Sequence, residues 1–525
     1  MFNLNQTKII WSLTQQVFQQ KSIDDIASFF VKEKLCALRM TYTKNISSKL
    51  SQLRQKISEN SLVQENLPKE GLCPFILEFV GRAALVTLAE KEKVCSDGDI
   101  LSVTFQENFQ NCATGVLFST YQKNSTSSDF HVLISAKDML KDLKVGSFLS
   151  FSYGAVEMKI ERVTLRAEDQ CLFQCKVVSG GTLKFGMEVH SPDISRDLFP
   201  LLPQDAESLE NEFGNLADYL VVSGIQSLEE LSLIQKKINK NETGKSVRHP
   251  TVPIQKNIYA ADGELPPKIL LKIDSKKSLD FLKTSLVQID GVFLSRSELG
   301  LDIHPNELPI IQKEVISLCN KSAKSIVIAS ELMQSMSVNI NPTRAEVSDV
   351  SNAAFDGADA LVISHDVTEG ENSAAAIQVT LDTLKNAEAW IEKKWLPYEK
   401  DFIQNDDDVV TYGAVRMAEN CRAKAIVCFT EGGYTAVRLA SMKTPIPVIA
   451  LTFNHKIMRQ LQLLRGMIPV CLEKKEITEN LLLKTKEILC QNFSFEKGDS
   501  FVFISLSKST VSEKNSNLFS FLTID

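Results

Sequence analysis

The sequence predicts an α/β protein: a (β/α)8 barrel with an inserted small antiparallel β domain and a C-terminal α/β domain. Eight short, continuously apolar runs recur outside one interrupting segment, and amphipathic stretches of helical period lie between most of them. Continuous apolar character is typical of parallel strands covered on both faces, and eight such units are what this barrel needs. The composition changes between the third and fourth runs, and a new series of helix and strand patterns begins at about Asp401.

The elements follow in order along the chain. The eight apolar runs are residues 7–13, 36–40, 75–79, 218–224, 268–274, 291–296, 325–331 and 360–366. Between the third and fourth runs, short apolar segments alternate with glycine turns, which predicts the antiparallel insert. Later runs at 425–429, 448–451 and 501–504 predict the last domain. We therefore expect the barrel in two parts, 1–88 and 193–395, the insert at 89–192 and the C-terminal domain at 396–525.

Composition excludes several classes of protein. The chain has 525 residues, of which 44% are hydrophobic and 23% charged, as in ordinary globular proteins. A formal charge of −7 and the lack of a basic run argue against a nucleic-acid partner. No apolar run is long enough to cross a bilayer and no leader pattern is present, so we expect a cytoplasmic protein without a membrane partner. The eleven cysteines show no metal-type spacing, which predicts reduced thiols.

Polar residues lie at the carboxyl ends of the eight runs, where barrels of this class carry their chemistry. They are Arg39, Glu78, Ser223, Lys272, Asp274, Arg296, Glu298, Ser330, Glu331, Ser364 and Asp366. Lys272 and Asp274 are two residues apart on a predicted strand, so they share a side. The pattern alone favours a solvated ion pair there over a catalytic pair, because structural networks also bring such charges together.

The stretch 341–364 predicts a loop, a capped helix, a tight turn and a buried strand. Thr343 and Glu346 have the spacing of a capping box, and Gly357 ends the helix. Its segments Pro-Thr-Arg-Ala-Glu at 342–346, Ser-Asp-Val at 348–350 and Asp-Gly-Ala-Asp at 356–359 closely resemble the signature run of pyruvate kinases. The likeness spans nearly the whole chain. It implies transfer of a phosphoryl group from phosphoenolpyruvate to ADP in glycolysis, with the insert closing over the barrel mouth.

The resemblance also implies roles for individual residues. The lysine matching Lys272 stabilises the phosphoryl group in flight, and the arginine matching Arg39 contacts the phosphate. Asp274 and Glu298 match the two acids that bind Mg²⁺ (or Mn²⁺), although aspartate and glutamate are exchanged in kind. Apart from the resemblance, the place of Arg39 among the polar strand ends favours a phosphate contact over an ordinary strand-end arginine. Glu298 is equally a first-turn acid at a helix N-terminus.

Two serines match positions near the substrate carboxylate. Ser330 replaces a threonine near that carboxylate and the proton path, and it keeps the hydroxyl. Ser297 replaces a glycine whose neighbourhood supplies backbone amides, and any side chain there limits close approach. The resemblance thus gives Arg39, Ser297, Glu298 and Ser330 as substrate-binding residues, and Lys272, Arg39 and Ser330 as catalytic ones.

Other positions depart from the family. Leu85 stands in place of an arginine that reaches the nucleotide phosphates. Four residues replace the oxygen ligands of the monovalent-cation site: Thr41, Thr43, Glu78 and Phe79. Phe79 has no side-chain oxygen, so we expect the K⁺ site to be lost.

The C-terminal domain and the helix from Thr343 carry the remaining expectations. Thr430, Gly432, Gly433 and Thr435 lie in a turn that resembles the family's phosphate-binding effector loop, but residues 507–512 lack the glycine-rich turn that completes that pocket. Arg344 matches a subunit contact, so we expect a homo- or hetero-tetramer.

Two functions stay open at this point. One is an active phosphotransferase with ADP/ATP as its nucleotides. The other is a catalytically impaired paralogue that acts as a regulatory or structural subunit, and the altered nucleotide and cation positions favour it.

Overall fold

The protein is described here by a computed structural model. Its described residues are 7–13, 17–33, 35–41, 47–59, 73–79, 84–87, 92–106, 131–134, 143–151, 156–166, 170–184, 188–191, 216–225, 227–238, 265–394, 406–472, 474–505 and 518–524.

The strands fall into three groups along the chain. In chain order they are β1 (Lys8–Leu13), β2 (Ala37–Thr41), β3 (Phe75–Phe79), β4 (Ala84–Thr87), β5 (Glu92–Cys95), β6 (Ile100–Gln106), β7 (His131–Ile134), β8 (Phe148–Phe151), β9 (Val156–Arg166), β10 (Gln170–Ser179), β11 (Gly181–Lys184), β12 (Glu188–His190), β13 (Tyr219–Val222), β14 (Lys268–Ile273), β15 (Gly291–Ser295), β16 (Ser325–Ala329), β17 (Ala360–Ile363), β18 (Ala425–Phe429), β19 (Val448–Thr452), β20 (Met467–Cys471), β21 (Ser500–Ser505) and β22 (Leu518–Thr523).

The helices alternate with the strands in the first and last parts of the chain. They are α1 (Val17–Gln20), α2 (Ile23–Lys32), α3 (Ser47–Glu59), α4 (Leu228–Ile238), α5 (Lys276–Ser285), α6 (Arg296–Leu299), α7 (Leu308–Lys321), α8 (Arg344–Asp356), α9 (His365–Thr368), α10 (Ser373–Lys394), α11 (Asp406–Asn420), α12 (Tyr434–Ser441), α13 (His455–Leu461) and α14 (Lys474–Phe493). A 3-10 turn spans Gln334–Ser337. Within the described ranges, no helix combines the length and the apolar character needed to cross a membrane.

Eight parallel strands close into the predicted barrel, in the order β1, β17, β16, β15, β14, β13, β3 and β2. Each of the eight apolar runs supplies one of these strands. Alternate residues, such as Ile10, Ile76 and Leu270, form one buried cluster inside the barrel. The residues between them, such as Ile9 and Leu77, pack in a second cluster with the surrounding helices. This alternation decides which polar side chains enter the barrel mouth.

The insert is a second, smaller closed barrel, with its strands in the order β10, β6, β7, β4, β12, β8 and β9. Most of its pairs are antiparallel, as predicted, but β6 and β7 pair in parallel. Strand β4 belongs to this smaller barrel and precedes residue 89, where we expected the insert to begin. The domain limits stay predictions, and residues 192–200 and 395–405 lie outside the described ranges.

The C-terminal domain has a five-stranded sheet in the order β20, β19, β18, β21 and β22, in which only the pair of β21 and β22 is antiparallel. This confirms the predicted α/β domain. Its contacts reach the amino ends of the barrel strands. Asp218, just before β13, accepts a hydrogen bond from Nε of Arg459 at 2.8 Å, in addition to one from Nη2 of Arg54 in the barrel helix α3 at 2.6 Å. Asp359, just before β17, accepts from Lys443 and from the amide of Arg465. The carboxyl ends of the strands are therefore left for the site.

Candidate active site

Five polar side chains at the carboxyl end of the barrel each lie two residues beyond an inward-facing apolar side chain. The polar residues Ser12, Arg39, Glu78, Lys272 and Ser295 follow the interior residues Ile10, Ala37, Ile76, Leu270 and Phe293 in that order. Side chains two apart on a strand share a face, so the barrel directs these groups towards one another. Arg39, Glu78 and Lys272, which the sequence predicts at the carboxyl end, therefore form an inner layer together with Ser12 and Ser295.

Lys272 lies at the centre of that layer. Its Nζ donates to Oε1 of Glu78 and to Oε1 of Glu298, each at 2.6 Å. The lysine is 3% exposed. Burial lowers the pKa of Lys272, but the negative charges of Glu298, Glu78 and Asp274 raise it well above its ordinary value. The ammonium is held charged without contact with bulk water.

Arg39 approaches the same glutamate from the other side. Its Nε donates to Oε2 of Glu78 at 2.6 Å, and Nη2 also contacts that oxygen. Its Nη1 donates to Oγ of Ser12 at 2.7 Å, and the guanidinium lies 5.5 Å from the ring centroid of Phe293. The fork of an arginine suits a carboxylate or a phosphate.

Glu78 joins the two cations and is fully buried. Burial opposes its ionisation, but the charges and hydrogen bonds of Arg39 and Lys272 outweigh burial and lower the pKa of Glu78 from 4.5 to about 2. The carboxylate is therefore ionised at neutral pH, with both oxygens accepting from cations. We refer to Arg39, Glu78, Lys272 and Glu298 below as the charge cluster.

Asp274 and Glu298 are the two residues predicted to hold a metal ion. Asp274 follows β14, and Glu298 lies in α6, directly after the neighbouring strand β15. Both are buried, and Oγ of Ser278 donates to Oδ1 of Asp274 at 3.2 Å. Mg²⁺ in phosphotransferases is usually held by one or two carboxylates, together with water and substrate phosphates. Two acids at adjacent strand ends fit that donor set. Within the described part of the chain, no cluster of three or more His, Cys, Asp or Glu side chains is suited to bind a metal ion. Water and substrate would therefore have to supply the remaining ligands at Asp274 and Glu298.

The two predicted serines lie beside the charge cluster. Ser330 follows β16, and its Oγ lies 3.3 Å from Oγ of Ser295 at the end of β15. Ser297 is buried in the first turn of α6. Ser330 and Glu331 have φ of 78° and 59°, which is a left-handed conformation that costs about 1–3 kcal/mol per non-glycine residue. The surroundings must therefore hold this backbone in place.

Helix α8 provides much of that support. The predicted capping box forms, because the amide of Glu346 donates to Oγ1 of Thr343 and the amide of Thr343 donates to Glu346. Glu346 also accepts from the amide of Ser335 at 2.7 Å, in the 3-10 turn after β16. A second link runs through Arg296, which donates to Oδ1 of Asp349 at 2.7 Å and to the carbonyl of Ser330 at 2.8 Å. Arg344, predicted at a subunit contact, lies exposed on this helix.

The effector-loop candidates form a strand, turn and helix, as the sequence predicts. Thr430 follows β18, Gly432 lies in the turn, and Thr435 lies in the first turn of α12. Gly433 has φ of 84°, and a Cβ there would lie 3.6 Å from Nζ of Lys268, at the start of β14. Residues 507–512, which we expected to complete this pocket, lie outside the described ranges.

The altered nucleotide and cation positions are described only in part. Leu85 lies in β4, Thr41 ends β2 and Phe79 ends β3, but their side chains are not among those described, and Thr43 lies outside the described residues. Glu78 is the exception. The sequence analysis placed it among the polar strand ends and as a replaced cation ligand, and missed its pairing with Lys272 and Arg39. No local signal reveals the pairing with Lys272, because β3 and β14 are not adjacent in the barrel.

The comparisons with known proteins agree on one family. The family model described as "Pyruvate kinase, barrel domain" matches residues 105–377, and the model described as "Pyruvate kinase, alpha/beta domain" matches residues 408–519. The pyruvate kinase of Clostridium perfringens is 30% identical over 373 residues, which are 70% of this chain and 73% of that protein. The pyruvate kinase of Thermotoga maritima is 28% identical over 407 residues, which are 76% and 80% of the two chains.

Solved structures show the same fold. Two crystal structures of pyruvate kinase from Cryptosporidium parvum align over 99% of this chain, with TM-scores of 0.74 and 0.76. They cover 97% and 98% of those chains at 19% and 18% identity. The similarity therefore extends through all three parts of the fold.

Proposed function

The chain belongs to the pyruvate kinase family, and from that premise we propose that it transfers a phosphoryl group from phosphoenolpyruvate to ADP. The products are pyruvate and ATP. The observation that carries this proposal is the charge cluster, because it places a buried lysine and an arginine at the carboxyl end of the barrel, beside the two acids suited to a metal ion. Phosphoryl transfer depends on positioning and charge neutralisation more than on covalent chemistry by the protein.

Each residue has a role in this reaction. Arg39 binds the phosphate of phosphoenolpyruvate, because its guanidinium fork suits phosphoryl oxygens. Lys272 stabilises the charge on the phosphoryl group as its bond to the enol oxygen breaks and a bond to the terminal phosphate of ADP forms. The enolate left behind takes a proton at its methylene carbon. Ser330 lies on that proton path, and Ser297 lies near the substrate carboxylate.

Mg²⁺ (or Mn²⁺) would be held by Asp274 and Glu298, and when bound it neutralises charge on the phosphoryl oxygens. The exchange of aspartate and glutamate between these positions keeps the charge and changes the reach of each side chain. Because Glu298 also accepts from Lys272, it couples the metal position to the lysine.

The test is a pyruvate-forming assay of the purified protein with phosphoenolpyruvate, ADP and Mg²⁺. Wild-type protein should form pyruvate, and Lys272→Met should lower kcat by about 10³-fold or more, because a preorganised charge in the transition state is lost. Lys324→Met is the matched control: Lys324 is also buried, but it donates to the carbonyl of Ile289 at the other end of the barrel. Undiminished turnover in Lys272→Met would contradict the assignment.

A second function is an impaired paralogue that serves as a regulatory or structural subunit. The observation that favours it is the position of Glu78, because its carboxylate already neutralises the charges of Lys272 and Arg39, the two cations that the reaction needs. Binding separates the two candidates. A subunit without turnover has no reason to keep affinity for Mg²⁺ and phosphoenolpyruvate, whereas an enzyme must bind both.

Under either function we propose a tetramer, built from copies of this chain or from this chain and an active relative. The family resemblance at α8 and the exposed Arg344 support this assembly. Closed two-fold contacts are the usual way in which soluble subunits associate. The cytoplasmic location and the nucleotide partners ADP and ATP belong to the same proposal.

A further inference from the structure

The feature with the largest consequence beyond the proposed reaction is the buried carboxylate of Glu78. Oε1 accepts from Lys272 at 2.6 Å, and Oε2 accepts from Nε of Arg39 at 2.6 Å. No part of Glu78 is exposed to solvent. One internal anion therefore bridges the two cations at the carboxyl end of the barrel.

Other protein groups also accept hydrogen bonds from these two cations. Lys272 donates a further hydrogen bond to Glu298, and Nη1 of Arg39 donates to Oγ of Ser12 at 2.7 Å. An incoming phosphate needs the same kind of donors, because arginine and lysine bind carboxylate and phosphate through similar charge-assisted hydrogen bonds. A phosphate therefore competes with the Glu78 carboxylate for the N–H groups of Lys272 and Arg39 from which that carboxylate accepts.

The length of the side chain makes this competition possible. A glutamate carries its carboxylate one methylene, about 1.5 Å, farther from the backbone than an aspartate. An aspartate at position 78 would hold its carboxylate about 1.5 Å farther from Lys272. The 2.6 Å contact would then exceed hydrogen-bond range, unless the cations moved towards the carboxylate. The bridge to both Lys272 and Arg39 thus depends on glutamate at position 78.

We propose that Glu78 is an internal competitor for the phosphate of the substrate and sets a low affinity for phosphate-bearing ligands. The naming of the substrate as phosphoenolpyruvate rests on the proposed function, whereas the competition for Arg39 and Lys272 concerns any phosphate that enters the site. Glu78 does not contact the substrate in this account. It determines the affinity for phosphate because it occupies Arg39 and Lys272, the two cations that the phosphate must reach.

Calorimetric titration with inorganic phosphate and with phosphoenolpyruvate, at fixed ionic strength and with Mg²⁺, tests this inference. Glu78→Gln keeps the shape of the side chain and removes its charge, so it should lower the Kd for both ligands by about tenfold or more, since a charge-assisted contact is no longer lost on binding. Glu78→Asp keeps the negative charge but moves it away from Arg39 and Lys272, so this variant should also bind both ligands more tightly than wild type does. Should Glu78→Gln fail to fold, Glu78→Asp alone decides the question.

Glu388→Gln is the matched control, because Glu388 is a buried carboxylate near an arginine, 3.9 Å from Nε of Arg465, at the amino end of the barrel. Its affinities should equal those of wild type. Equal or weaker binding by both Glu78 variants, or no binding by any protein, would overturn the inference. A merely structural role for Glu78 predicts weaker binding, because Arg39 and Lys272 would lose the group that orients them.

Turnover keeps this inference distinct from the proposed function. Tighter binding in the Glu78 variants without pyruvate formation by any protein supports the competitor and contradicts the enzyme. Pyruvate formation by wild type, with Kd values for both ligands that are not lowered in the Glu78 variants, supports the enzyme and contradicts the competitor.

Discussion

Replacing Lys272 with methionine should destabilise the barrel by about 3 kcal/mol, in addition to its effect on turnover. The lysine is 3% exposed and donates to Glu78 and Glu298, each at 2.6 Å. Removing one partner of a buried ion pair costs about 3–5 kcal/mol, because the other charge stays buried without compensation. Glu78 keeps Arg39, and Glu298 is partly reached by water at 8% exposure, so the lower end of that range applies.

Urea unfolding followed by tryptophan fluorescence measures this cost. The chain has three tryptophans, and all of them precede the C-terminal sheet domain: Trp11, Trp390 and Trp395. Trp11 in β1 is 1% exposed and packs against Phe29 at 4.8 Å between ring centroids, and Trp390 lies in α10, so the signal reports on the barrel rather than on the whole multidomain chain. A double-mutant cycle with Glu78→Gln should give a coupling energy of about 2 kcal/mol, because the two residues share a contact. A cost below about 1 kcal/mol for Lys272→Met, with additive effects in the cycle, would refute the charge cluster.

Three further predictions concern other parts of the chain. Burial lowers the pKa of Lys324 from 10.5 to about 8. Lys324→Met should therefore raise the free energy of unfolding at pH 7 by about 2 kcal/mol. Removing the buried charge contributes about 3 kcal/mol, and losing the hydrogen bond of the lysine costs about 1 kcal/mol. The stability advantage of Lys324→Met over wild type should shrink between pH 8 and 10.5, where the unfolded lysine binds a proton that the folded one releases, and urea titrations of both proteins across that range measure the difference. Turnover should change little when K⁺ is replaced by a bulky organic cation, because Phe79 offers no oxygen ligand, and a large K⁺-dependent rise in rate would contradict this. Arg344→Glu should shift the tetramer towards smaller species in light scattering by leaving charged groups unpaired at the contact, and a monomer in both proteins would remove the assembly argument.

Much of the fold could be predicted because the barrel strands are continuously apolar and evenly spaced. All eight runs form strands of one closed barrel, and the capping box of Thr343 and Glu346 forms at the helix start that its spacing predicts. Local patterns of this kind are set by residues a few positions apart. The closure of the insert into a second barrel, with β6 and β7 parallel, depends on pairings between distant strands, and no local pattern encodes them.

The candidate site also has a part that the sequence predicts and a part that it does not. Arg39, Lys272, Asp274 and Glu298 could be picked out by their positions at strand ends. The bridge made by Glu78 could not, because β3 and β14 are not neighbours: β13 lies between them in the barrel. The contact crosses the barrel interior, and it follows only from the closed strand order together with the inward direction of both side chains.

The central claim is that the charge cluster supports phosphoryl transfer, and ³¹P NMR of purified protein with phosphoenolpyruvate, ADP and Mg²⁺ tests it most directly. The resonance of phosphoenolpyruvate should decline while the γ-phosphate resonance of ATP gains equal intensity, and both changes should be absent in Lys272→Met and present in Lys324→Met. Unchanged phosphoenolpyruvate in the presence of folded wild-type protein would contradict the claim.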